Sequence, residues 1–249
     1  MIKFFRQTRY DLMEKNKTGK YLKYAVGEIV LVMIGILLAL QINNWNERQK
    51  IEKKHQELIL SLIEDFEFNV TELTDINIKE NESQLETMNL FFESQNDSTY
   101  ISLDSIKTLA RSFMIYNNYS PNLTAFKEAQ STGSLSQLKN KFLLQEFTKF
   151  IQEYESFIKV GEQQAYTFFN GSTWEFRKTV EPGTIYNSIY AGSIAQNLSY
   201  SDYIKLINTP LAKNAFQNSY ILTGNMQIHL SKLLEHAKNI LNTLKKIKK

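Results

Sequence analysis

Three histidines and a few neighbouring carboxylates are the residues whose type and spacing suggest chemistry. His229 and His236 are seven apart, so on a helix they share one side. A zinc-type site needs three or four converging ligands, and no carboxylate is spaced along that stretch to complete one. Both histidines therefore read as solvated residues flanking a packed seam. His55 falls on an apolar stripe and reads as a half-buried packing residue. Glu64-Asp65-Phe66-Glu67 and Glu153-Tyr154-Glu155 place carboxylates close in sequence. Adjacent and i,i+2 side chains on a helix point apart, so neither run makes an acid–base pair alone, and both read as solvated faces. No Gly-rich phosphate loop, nucleophile elbow or Cys/His dyad occurs, and there is no cysteine. The expectation is a chain that is not an enzyme and carries no cofactor or metal.

The elements that position these residues are organised around one apolar stretch. From Ile29 to Asn46 no residue is charged. As a helix, these residues cover about 27 Å, close to the roughly 30 Å hydrocarbon core of a bilayer. A helix can cross there because it satisfies its own backbone polar groups. Tyr21, Tyr24 and Trp45 bracket the run as interface anchors, and no small-x-small cleavage site follows Leu40, so the stretch reads as an uncleaved signal anchor. Lys3, Arg6, Arg9, Lys15, Lys17, Lys20 and Lys23 precede it against Asp11 and Glu14, which places the N-terminus in the cytoplasm by the positive-inside rule. Glu28, Val32, Gly35 and Ala39 share one face. Gly35-x-x-x-Ala39 is a small-x-x-x-small pair suited to close helix contact, with Glu28 paired across it; the alternative is an interfacial Glu above a lipid-facing helix.

The segment Lys17-Thr-Gly-Lys-Tyr-Leu-Lys-Tyr-Ala-Val-Gly-Glu28, running on through the span to Asn46, resembles the N-terminal signature of a Bacteroidota family of single-pass inner-membrane proteins that carries only a domain-of-unknown-function label. Asn122-Leu-Thr-Ala-Phe-Lys-Glu-Ala-Gln-Ser-Thr-Gly-Ser-Leu135, with Asn140-Lys141 after it, is similar to that family's second recurring segment. The resemblance implies location and topology and lends no activity.

Charge is unevenly placed. The chain has 29 Lys/Arg and 26 Asp/Glu. Residues 1–46 hold seven of the former and three of the latter, leaving 22 against 23 for the rest. Lys245, Lys246, Lys248 and Lys249 close the chain, so the body between the ends is acidic, which argues against a nucleic-acid partner.

Along the chain, residues 1–14 read as an interfacial helix dipping Phe5 and Leu12 into the inner leaflet while Arg6 and Arg9 meet anionic lipid. Beyond Trp45, apolar spacing predicts rods over 46–94, 103–132 in two pieces, 141–180 and 210–247. Gly133 suits a helix C-cap, Ser134–Leu138 a brief helical turn, and Gly161 and Gly171 are expected kinks. Residues 182–208 read as a long loop with one helical turn near 201–207. The last rod carries a heptad seam of Met226, Leu230, Leu233, Ala237, Ile240, Leu244 and Ile247.

The expected architecture is all-α. A cytoplasmic basic segment (1–20) leads to a transmembrane helix (21–45), which continues into a periplasmic antiparallel, up-down-up-down helical bundle (46–249). Ile247 is expected near Glu47 to Ile51, with Lys20, Lys23, Trp45 and the terminal lysines at the membrane surface. Asp97-Ser-Thr99 and Asp104-Ser-Ile106 resemble an O-glycosylation tripeptide for the 95–105 loop. The partners expected are the lipid bilayer and a protein, or a second copy, met through the spanning helix and the bundle tip. A scaffold or accessory subunit of an envelope complex fits this organisation; a ligand-binding, sensor-like bundle signalling through a membrane partner is the alternative.

Overall fold

A computed structural model describes residues 18–96, 101–115, 117–180, 182–186 and 198–248. All of its regular elements among these residues are helical, as the apolar spacing predicts. Helix α1 runs Thr18–Glu72, a π-helical turn spans Leu73–Asn77, and α2 runs Ile78–Asn96. Then come α3 (Leu103–Ala110) with a 3-10 turn at Arg111–Met114, α4 (Thr124–Ser131) and a 3-10 turn at Ser134–Leu138. They are followed by α5 (Lys141–Phe169), α6 (Ser172–Arg177), α7 (Pro182–Ile185), α8 (Tyr200–Ile207) and α9 (Pro210–Ile247). The chain divides into two compact units, Met1–Glu57 and Leu58–Lys249.

The described part of the first unit is the α1 stretch up to Glu57. Its most apolar 18 residues have a mean hydropathy of 2.4, and none of them is buried. Such a surface is unfavourable in water and suited to lipid.

The second unit is built from local signals. Ser102, Asn140, Ser199 and Thr209 accept hydrogen bonds from the backbone N–H three residues on and so cap α3, α5, α8 and α9. Pro210 follows Thr209 at the first helical position, where its missing N–H costs nothing. Gly133, at φ 74°, ends α4 in the left-handed region that a side chain disfavours.

Pairing of the rods follows from the cross-helix bonds. Gln84 donates to the Ser112 carbonyl, Asn77 to that of Asn118, and Asp65 accepts from the Ala125 N–H. As one number rises the other falls, so the 103–131 segment runs antiparallel to the rod of α1 and α2. Helix α9 does the same against that rod, through Glu82–Gln227 and Glu67–Lys245. It also runs antiparallel to α5, through Gln164–Thr223, Glu153–His229 and Glu146–His236.

Two apolar cores result. In the first, Phe66 meets Phe147 and Phe150 edge-on at 5.5 and 5.3 Å, and the α9 seam closes over them. From Met226 to Leu244 every predicted seam position is buried, and Ile247 is partly so. In the second, the rings of Phe91, Phe113 and Phe216 meet edge-on or tilted with centroids within 5.1 Å of one another, and Phe176 and Tyr203 lie beside them.

Several expectations are corrected. The rod over 141–180 is two helices. The N–H groups of Asn170 and Gly171 both turn back to the Tyr166 carbonyl, and a Cβ on Gly171 would meet Thr167 Cα at 2.8 Å, so only glycine fits the break. Gly161, the other expected kink, stays inside α5. The first piece of the 103–132 rod stops at Met114, because Ile115 turns extended. In the 182–208 stretch the helical turn expected near 201–207 is present as α8, and α7 is a further short helix; Tyr203 of α8 is fully buried, its hydroxyl donating to the Ile185 carbonyl. The expected helix over 1–14 and the tripeptide at Asp97 lie outside the described residues.

Candidate functional site

On the apolar helix, Val32 is 54% exposed and a Cβ on Gly35 would meet nothing within 4 Å. Ala39 is exposed and Glu28 half-buried. Trp45 is 59% exposed. The expected contact face is thus an open surface within its own unit. Lys23 is exposed; Arg6, Arg9, Lys249 and the Lys20 side chain lie outside the described residues. Lys246 and Lys248 are exposed. Lys245 reaches Glu67 at 2.6 Å, and Ile247, like Leu58, packs against the first core cluster. The Ser105 of the second tripeptide is exposed in the first turn of α3.

Of the residues that read as solvated, Glu64, Glu67 and Glu155 are exposed, whereas His229, His236 and Glu153 are paired across helices. His229 Nδ1 lies 2.6 Å from Glu153 Oε1, with Lys232 at 3.6 Å from the same oxygen. One heptad along, His236 Nδ1 lies 2.9 Å from Glu146 Oε2, which also accepts from Asn239 at 3.0 Å, while Lys149 bonds Oε1 at 2.8 Å. Glu146 is 2% exposed. Burial by itself raises a carboxyl pKa, but the bonds from Lys149, His236 and Asn239 outweigh it and bring Glu146 down to about 2. The seven-residue step that puts the histidines on one side of α9 also puts Glu146 and Glu153 on one side of α5. That shared spacing was the available signal. It goes unnoticed when each helix is read alone. Among the described residues no group of three or more His, Cys, Asp or Glu converges as a metal site. His55 is half-buried, as expected.

Asp65 is the second correction. It is 7% exposed and binds the Ala125 N–H at 2.8 Å and Asn122 Nδ2 at 2.7 Å, capping α4 from another helix. It heads a ladder of buried amides. Asn69 brackets Asn122, donating to its carbonyl at 2.8 Å and accepting from its N–H at 2.7 Å. Asn77 holds the Asn118 carbonyl, and Gln84 holds those of Ser112 and Ile115. Asn117 donates to Asn81 and Gln84. Ile115 and residues 117–122 lie outside regular secondary structure, and these side chains bond backbone groups of Ile115, Asn118 and Asn122. Sequence reasoning missed the ladder; its trace is the recurrence of Asn and Gln at 69, 77, 81 and 84 along an otherwise apolar stripe. Tyr119 of this strap is 3% exposed; burial, then Tyr154 and Glu72, push its phenol pKa up.

The class defined here is an all-helical protein whose one helix long and apolar enough to cross a membrane, among the described residues, lies near the N-terminus. The chain belongs to DUF6090, a family of unknown function, whose model matches residues 28–165. That match covers the apolar stretch, the amide ladder, the strap and nearly all of α5. No curated protein and no solved structure matches the chain.

Proposed function

We propose that this protein is a single-pass inner-membrane protein whose second unit stands in the periplasm as a scaffold or accessory interaction subunit of a cell-envelope complex. The carrying observation is the fully exposed apolar window of α1. The basic flank before the span supports a cytoplasmic N-terminus. The face of Glu28, Val32, Gly35 and Ala39 is the proposed contact for a partner helix or a second copy. The terminal lysines and Lys20, Lys23, Arg6, Arg9 and Trp45 are the proposed membrane-surface residues. The second unit works without catalysis: its buried polar groups hold helices together.

One observation favours the sensor reading, an open groove of about 640 Å³ lined by Lys79, Glu80, Gln84 and Arg111 among others. Two experiments test the proposal. A reporter active only outside the cytoplasm is fused after Lys249 or before Met1; the C-terminal fusion is expected to be active and the N-terminal one silent. Purification in mild detergent, read by mass spectrometry, is expected to yield a stoichiometric protein partner. A co-purifying metabolite with no partner would favour the sensor.

A further inference from the structure

A chain of buried polar contacts crosses the second unit and stops at one atom. Asn81 Nδ2 donates to Gln227 Oε1 at 2.9 Å and to the Thr223 carbonyl at 3.2 Å. The Thr223 hydroxyl donates to the Ser219 carbonyl at 2.9 Å, so its hydrogen is committed and it can only accept from Gln164 Nε2, at 3.3 Å. That fixes the orientation of the Gln164 amide, since a flipped amide would set two acceptors against each other. Gln164 Oε1 is then left with no hydrogen-bond partner in a side chain only 6% exposed. A buried amide oxygen is expected to be satisfied.

Beside it lies a small cavity of about 10 Å³. Its lining includes Gln164 and the hydroxyl residues Thr167, Thr173 and Ser219, with Phe113 and Leu222 closing it. The volume is that of roughly one water, and a buried water needs two to four polar partners. The Ser219 hydroxyl donates to the Phe113 carbonyl at 3.1 Å, which leaves its lone pairs to accept. A group that donates to both Gln164 Oε1 and a hydroxyl, and accepts from a threonine, matches this lining. A cation would find no carboxylate in this lining, and any larger ligand exceeds the space.

We infer that the cavity among α5, α6 and α9 is a binding site for one ordered water molecule, anchored on Gln164 Oε1 and shared with the surrounding hydroxyls. The water joins the amide ladder of the first rod to α6, across the Gly171 break, and completes a polar network that is costly when left partly satisfied.

The test is a high-resolution crystal structure of the full chain in detergent, alongside that of Gln164→Met, which keeps the side-chain length and removes the acceptor. The parent is expected to show one water about 2.8 Å from Gln164 Oε1 and within reach of a second lining hydroxyl. In Gln164→Met that water is expected to be lost. An ordered site with no density at Oε1 overturns the inference, as does a protein donor found on that atom. Water retained unchanged in Gln164→Met overturns the anchoring role of Gln164. Should that variant fail to fold, Thr173→Val, which shortens the hydroxyl lining, is read for displacement of the same water, and the parent density still decides whether the site binds.

Discussion

Replacing Glu146 with Gln tests whether the cross-helix His–Glu pairs hold α5 against α9. Glu146 is 2% exposed and receives bonds from Lys149, His236 and Asn239. Its pKa falls from the ordinary 4.5 to about 2 in the folded chain. A carboxylate held below its unfolded pKa stabilises the fold above that pKa, and the gain is lost as pH falls through the folded value. At about 1.4 kcal/mol per tenfold change, the drop corresponds to about 3 kcal/mol at neutral pH. It shrinks to about 1.5 kcal/mol near pH 3 and to under about 0.5 kcal/mol near pH 2. Gln preserves shape and loses the charge, so Glu146→Gln is expected to lower the melting temperature by about 6–12 °C at neutral pH, at roughly 2–4 °C per kcal/mol for a unit of this size. Thermal melts of the full chain in detergent, read by circular dichroism from neutral to acid pH, measure the gap between parent and variant. The gap is expected to close on acidification. A variant that melts like the parent at neutral pH, or a gap that is the same at every pH, would refute the reasoning.

Leu233→Asp puts a charge at a fully buried seam position and is expected to cost about 3–5 kcal/mol, seen as a lower melting temperature; parent-like melting would mean that the seam is not packed as described. Asn69→Ala removes both bonds to Asn122 and is expected to cost about 2–3 kcal/mol, with faster hydrogen exchange at the Asn122 amide than elsewhere in the unit. Unchanged protection there would show that the ladder does not hold the strap. Gly171→Ala drives a Cβ to 2.8 Å from Thr167 Cα and is expected to destabilise by about 1–3 kcal/mol in the same melts, while Gly161→Ala, with open space, is expected to be neutral or mildly stabilising. Equal melting of the two variants would contradict the tight α5–α6 turn.

What the sequence determined by itself is whatever repeats along one element. The uncharged run from Ile29 to Asn46 marks a spanning-length helix because length and hydropathy are properties of a contiguous stretch. The α9 seam is legible because a heptad step reports one buried side, whatever lies opposite. Gly133 and the Thr209-Pro210 start are legible because caps are satisfied within a few residues. The fate of the polar residues depended on neighbours far along the chain. Asp65 and Glu153 read as solvated because their hydrogen-bond partners lie 57 to 76 residues away, on other segments. The amide ladder escaped for the same reason, since the backbone it satisfies belongs to the strap. Periodicity reports which side of a helix is buried. Only the packed helices decide which buried polar groups meet, because hydrogen bonds act within about 3 Å and that distance is set by tertiary contact.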